Sequence, residues 1–254
     1  MRPAGLVSLV SVIAGASCHD RPAVPAQAAP IELAMVSIPA GMLAMGSTDG
    51  DDDERPVHDV RIAAFAIQKT ETSVSEYARC EAAGACTKTP QEAYCNEGES
   101  GRDAHPINCV TFGQATAFCA WAQARLPAEA EWEYAARGAT RAKYPWGNAA
   151  PDAPYLCWDG RKSDLGLGKR RSTCETGAHP AGASPFGILD LAGNVWEWTS
   201  ELYSRDYASP RIGPKRVVRG GTWYSYDPAD VRSTLRFRQR EDKPDYGVGF
   251  RCAR

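Results

Sequence analysis

Residues 219–238 read RGGTWYSYDPADVRSTLRFR, and no cysteine lies between Cys174 and Cys252. Around this stretch, short strand-like pieces (VVRGGTWY, RSTLRFR, GVGFRCAR) alternate with turns. Trp223, Tyr224 and Tyr226 read either as the lining of a shallow pocket or as core and rim aromatics. The chain is locally basic here, with Arg211, Lys215, Arg216, Arg219, Arg232, Arg236, Arg238 and Arg240. On a strand Arg236, Arg238 and Arg240 share a face. They read as a groove for an acidic ligand or extended peptide, or as bridges to carboxylates such as Asp227, Asp230 and Asp242.

Upstream, ELAMVSIPAGMLAMGS sets two apolar runs on either side of Pro39-Ala40-Gly41, a strand–turn–strand signal. HDVRIAAFAIQK, 58–69, alternates partly and reads as another strand. The acidic run DGDDDE, 49–54, lacks the spaced ligands of a calcium loop and reads as a solvated loop. Three helix starts are legible. Ser73-x-x-Glu76 and Thr111-x-x-Gln114 are capping boxes, the first for a helix running towards Ala82. The second opens a helix whose Phe112, Ala115, Phe118, Cys119 and Ala122 lie on one face. In RLPAEAEWEYAARG, Pro127 lies near the first turn and Gly138 at the stop. From Gly138 to about Pro185 the chain is irregular, without an internal repeat. The reading is one α+β domain over 32–254.

The chain has 254 residues, 43% hydrophobic and 24% charged, with net charge −2. No positive excess exists to neutralise phosphates or a membrane surface, so nucleic acid is excluded as a partner. Seven Trp and 23 Gly against six Phe describe a loop-rich domain pinned by large aromatics rather than a helical bundle. MRPAGLVSLVSVIAGASC, 1–18, reads as a signal peptide: one Arg, a short apolar stretch, then small residues. Ala14-Gly15-Ala16 fits simple secretion. Gly15-Ala16-Ser17-Cys18 resembles a lipobox, which would lipidate Cys18 and tether a periplasmic or cell-envelope lipoprotein; the membrane is otherwise no partner. Residues 19–31, rich in Pro and Ala, are a tether. Export turns the remaining eight cysteines into disulfide candidates. No pair has zinc spacing.

IPAGMLAMGS, RLPAEAEWEYAARG, YPWGN, GILDLAGNVWEWTS, RVVRGGTW and GVGFRCAR together resemble, in order, the formylglycine-generating enzyme (sulfatase-modifying factor) family. The resemblance covers nearly all of 32–254 and implies a loop-rich variant of the C-type lectin fold. It also implies an oxidase that converts a protein cysteine to formylglycine with two copper(I)-binding cysteines. Laid on residues 220–238 without gaps, those two positions are Ser225 and Asp230. A hydroxyl and a carboxylate suit hard cations and cannot hold copper(I), so no copper is expected and no catalytic residue is assigned. His58, His105 and His179 share no helical spacing, which speaks against an iron site of the kind some relatives use.

In the same family the loop matching DLAGNVWE holds a structural calcium. Carried over, the ligands are the carboxylates of Asp190 and Glu197 and the carbonyls of Gly193 and Val195, hard oxygens on a tight turn. The bland alternative is a turn whose carboxylates cap backbone amides. The family's second calcium site, between Tyr155 and Thr176, stays unassigned. Cys119 and Cys252 match a family disulfide, Cys157 with Cys174 looks like a second, and Cys80, Cys86, Cys95 and Cys109 stay open among three pairings. Arg219 and Arg232 sit in the family's recurring frame and read as structural. The expected function is a non-oxidase binding or accessory domain for a peptide, glycan or protein partner. The alternatives are an oxidase with a divergent site and a structural envelope lipoprotein.

Overall fold

The computed structural model describes Met1 and residues 30–160 and 171–254. The signal segment with Cys18 lies outside the described residues, as does most of the tether. Eight short strands and three helices are spread through loops, as the glycine and tryptophan content predicts. The strands are β1 (Met35–Ile38), β2 (Gly41–Met45), β3 (His58–Ile62), β4 (Phe65–Gln68), β5 (Trp196–Leu202), β6 (Lys215–Arg219), β7 (Phe237–Arg240) and β8 (Val248–Gly249). The helices are α1 (Val74–Ala82), α2 (Phe112–Trp121) and α3 (Glu129–Arg137).

All three helices begin where local chemistry places them. The Ser73 and Thr111 side chains accept from the N–H groups of Glu76 and Gln114, and those residues reach back to the cap amides. Helix α3 starts after Pro127, which stays outside it, and Gly138 ends it at φ 62°. Ala115, Phe118, Cys119 and Ala122 are buried together, and Phe112 packs partly against them.

The strand–turn–strand signal at 35–45 is present as two strands. β1 and β2 do flank Pro39-Ala40, with Gly41 opening β2, but they do not pair with each other. The 58–69 run breaks at Ala63-Ala64, and its halves each take one: β1 pairs with β4 and β2 with β3, both antiparallel. The break sends two strands into two small sheets, each closed by burial on one side. The third sheet has order β7-β6-β5-β8, antiparallel except for the β5–β8 pair. One core packs α1 and α2 on Trp198, Val218 and Phe250. A second packs Trp132 and Tyr134 of α3 on β1–β4.

Four disulfides staple these pieces: Cys80–Cys86, Cys95–Cys109, Cys119–Cys252 and Cys157–Cys174. Of the three pairings left open for the first four cysteines, the fold takes the sequential one. Such density fits an oxidising compartment. Among the described residues no helix is long and apolar enough to cross a membrane.

At the end of α1, burial first and the neighbouring Glu97 second push the Glu81 carboxyl from 4.5 up to about 7. The folded state therefore holds this proton more tightly than the unfolded chain. That stabilisation is full below the unfolded value and is lost as pH rises through the folded one. Thermal midpoints should fall as pH is raised from about 4.5 to about 7 and level off above it. Glu81→Gln should flatten that slope, and an unchanged slope in the variant would assign it to another group.

Candidate functional site

Thr222, Tyr224, Ser225 and Tyr226 line one side of a cavity of about 600 Å³ whose wall also includes Trp196, Asp230 and Arg238. The double glycine is what lets the backbone reach it. Gly221 has φ 85°, and a Cβ there would sit 2.6 Å from the Asp230 carbonyl. Ser225 is buried and its Oγ accepts from the Thr222 amide at 3.1 Å, tightening the turn. Asp230 closes the short 3₁₀ turn Pro228–Val231, its carboxylate accepting from the Asp227 amide, and burial raises its pKa. Both positions read for the family's cysteine pair thus line the same cavity. Every cysteine among the described residues is in a disulfide, so no thiol stands near them.

Tyr224 and Tyr226 line the cavity, whereas Trp223 turns away from it. Trp223 is buried against Tyr94, Tyr224 and Tyr246, with ring centroids 5.0–6.1 Å apart. The arginines divide too. Arg236 lies before β7 and is held in the core by Glu129, with its Nη1 donating to the Asp53 carbonyl at 2.7 Å. Arg238 is exposed and stacks over Tyr203 at 5.4 Å, while Arg240 pairs with Asp242. Arg236, though buried, and Arg238 both line the cavity as the sequence suggests, whereas Arg240 is not part of its wall.

Sequence reasoning missed the opposite wall. The run 49–54 is not simply a solvated loop: Asp51, Asp52 and Asp53 border the cavity from a 3₁₀ turn. Asp53 accepts from the Tyr203 hydroxyl at 2.7 Å, and burial raises its pKa. Glu54, fully buried, forms a two-pronged pair with Arg232 at 2.8 and 2.9 Å. The acidic run was visible as a sequence feature, but its partners lie 150 and 178 residues away.

Beneath the cavity Arg219 of β6, fully buried, joins Glu129 at 2.8 Å and Glu133 at 2.6 Å, both on α3. Arg137 takes the other oxygen of Glu133. Arg219 and Arg232 both hold the frame together, through glutamates rather than Asp227, Asp230 or Asp242, with Asp51 a more distant partner of Arg232 at 3.8 Å.

The 190–197 loop packs against the same segment. Asp190, Gly193 and Asn194 all have left-handed φ, 60°, 78° and 58°. A Cβ on Gly193 would meet the Cys157 carbonyl at 2.4 Å. One Asp190 oxygen accepts from the Gly177 amide at 2.6 Å, and burial pushes this carboxyl up to about 6. Glu197 accepts from Arg251 through both oxygens, at 2.6 and 2.7 Å, and from the Trp132 indole at 2.7 Å. Three of its roughly four acceptor sites are thus in use, leaving one. Among the described residues Arg251 pairs with Glu197, and no ion pair reaches Asp190. A hard divalent cation fits this donor set: Asp190, the last Glu197 acceptor and the carbonyls of Gly193 and Val195.

Cavity, buried arginine frame and loop sit on one loop-rich α+β domain. A profile described as the sulfatase-modifying factor enzyme 1-like domain matches residues 21–254. The chain belongs to this formylglycine-generating enzyme family. It is 29% identical to the formylglycine-generating enzyme of Streptomyces coelicolor, over 86% of this chain and 88% of the relative. It is 30% identical to a Bos taurus protein named inactive C-alpha-formylglycine-generating enzyme 2, over 86% and 87% of the two chains. Among solved structures, PvdO from Pseudomonas aeruginosa superposes with TM-score 0.70 at 25% identity, covering 87% and 93%.

Proposed function

We propose that this chain is an exported, non-oxidase member of the family whose cavity binds a peptide, glycan or protein partner. The observation that carries the reading is the pair Ser225 and Asp230 lining the cavity, with every cysteine among the described residues held in a disulfide. A soft copper(I) ion has no sulfur ligand to take there. Lectin-like scaffolds keep a rigid frame under variable loops, so binding can persist where catalysis is lost. An inactive-named relative of similar length supports the same reading. The disulfides support export, with Cys18 as lipid anchor or the segment removed in simple secretion. Calcium in the 190–197 loop would be structural, holding its left-handed turn.

Copper(I) titration of the purified protein, with a cysteine-containing sulfatase-type peptide analysed by mass spectrometry, tests this. The expected result is no stoichiometric copper(I) binding and no aldehyde product. Aldehyde formation would overturn the non-oxidase reading and point to a divergent oxidase site. Loss of membrane retention in Cys18→Ala would establish the lipid anchor, and soluble wild-type protein would establish simple secretion.

A further inference from the structure

Glu71 lies in the link between β4 and α1, outside the motif that marks the 190–197 loop, and it is fully buried. Its carboxylate accepts from the Asn194 side-chain amide at 2.5 Å and from the Val195 N–H at 3.1 Å. It thereby grips the loop across 123 residues of sequence. Among the described residues no cation pairs with Glu71 or Asp190, because Arg251 is engaged by Glu197. Arg251, hydrogen-bonded to Glu197, also reaches Glu71 and Asp190 electrostatically, so a single guanidinium faces three buried carboxylates, which is costly unless a further cation answers them. One divalent ion would balance the remaining charge.

The grip continues into the cavity. The Asn194 carbonyl accepts from the Trp223 amide at 2.8 Å and from the Thr222 hydroxyl at 3.4 Å. Its side-chain oxygen accepts from the Cys174 amide at 3.0 Å. Asn194 is thus a single left-handed residue joining Glu71, the 157–174 disulfide region and the turn that carries Ser225.

We infer that Glu71 is the positioning carboxylate of a divalent-cation site in the 190–197 loop, and that through Asn194 it couples occupancy of that site to the cavity wall at Thr222–Ser225. This rests on the calcium reading given above. Glu71 sets the direction of Val195 and supplies charge, while Asp190 touches the ion. Partners of this kind typically alter metal affinity by about 10–100-fold when removed.

The test uses the full chain stripped with EDTA, with calcium chloride as the probe. Calorimetry would give calcium affinity for wild type, Glu71→Gln and Asp190→Asn; thermal midpoints would be read with and without calcium. Glu71→Gln keeps the shape and removes the charge. It should weaken calcium by about 10–100-fold and narrow the calcium-induced rise in midpoint. A merely structural Glu71 would lower both midpoints and leave that rise unchanged. In wild type, calcium should also slow hydrogen exchange at the Val195 and Trp223 amides. Unchanged affinity in Glu71→Gln, alongside loss in Asp190→Asn, overturns the role of Glu71 and leaves the calcium reading standing. No binding to wild type overturns the calcium reading, and this inference with it. Should Glu71→Gln fail to fold, wild-type exchange decides: unaltered protection at Val195 and Trp223 under saturating calcium overturns the coupling.

Discussion

Arg219→Met should cost about 3–5 kcal/mol of folding stability and lower the thermal midpoint by roughly 10 °C. The guanidinium has no exposure, and it holds Glu129 at 2.8 Å, Glu133 at 2.6 Å and the Ser233 carbonyl at 2.7 Å. Methionine fills comparable volume, so the loss is electrostatic rather than a cavity. The glutamates would keep Arg236 and Arg137 as partners, which limits the penalty without removing it. Adding Glu133→Gln to Arg219→Met should lower stability further, because Glu133 is then the one carboxylate paired with buried Arg137, and removing its charge leaves that guanidinium unanswered. A single variant within about 0.5 kcal/mol of wild type in chemical denaturation would show that the network contributes little. The consequence reaches the cavity, because Arg219 immediately precedes the double glycine that brings Ser225 to its wall.

Removing the Cys119–Cys252 bridge by Cys119→Ala with Cys252→Ala should cost about 5 kcal/mol on the chain-entropy account. The bridge closes 133 residues, linking α2 to the strand-like terminal segment. The Cys80–Cys86 bridge closes only 6 and should cost about 2 kcal/mol when removed the same way. All four of these sulfurs except Cys86 belong to fully buried residues, so the comparison is between loops of different length in similar surroundings. Equal losses in the two double variants would mean that local packing, not loop closure, sets the contribution. Denaturant midpoints under non-reducing conditions supply the measurement.

Elements that depend on near neighbours were legible in the chain alone. Ser73, Thr111 and Gly138 mark helix ends because a cap needs only residues three or four positions away. Order and spacing of the six motifs identified the family, and Cys119–Cys252 followed from that resemblance. Ser225 and Asp230 could be placed by the same frame, because the glycine pair fixes the register of the turn. Trp223 was harder: an aromatic beside a pocket and one beneath it have the same composition, and only burial separates them.

The tertiary structure decided the rest, for one physical reason. Ion pairs and strand pairs between distant segments depend on the path of the chain, and each arginine had many carboxylates of equal chemistry to choose from. Arg232 bypassed Asp227 and Asp230 for Glu54, and Arg219 went to Glu129 and Glu133 on α3. β1 and β2 do not pair with each other: the break at Ala63-Ala64 gives β4 to the first and β3 to the second. Glu71 reached Asn194 across 123 residues with no spacing to announce it. The sequence by itself determined the frame, its caps and the loss of the paired thiols; which charges meet inside that frame was settled only by folding, where desolvation makes every unanswered charge costly.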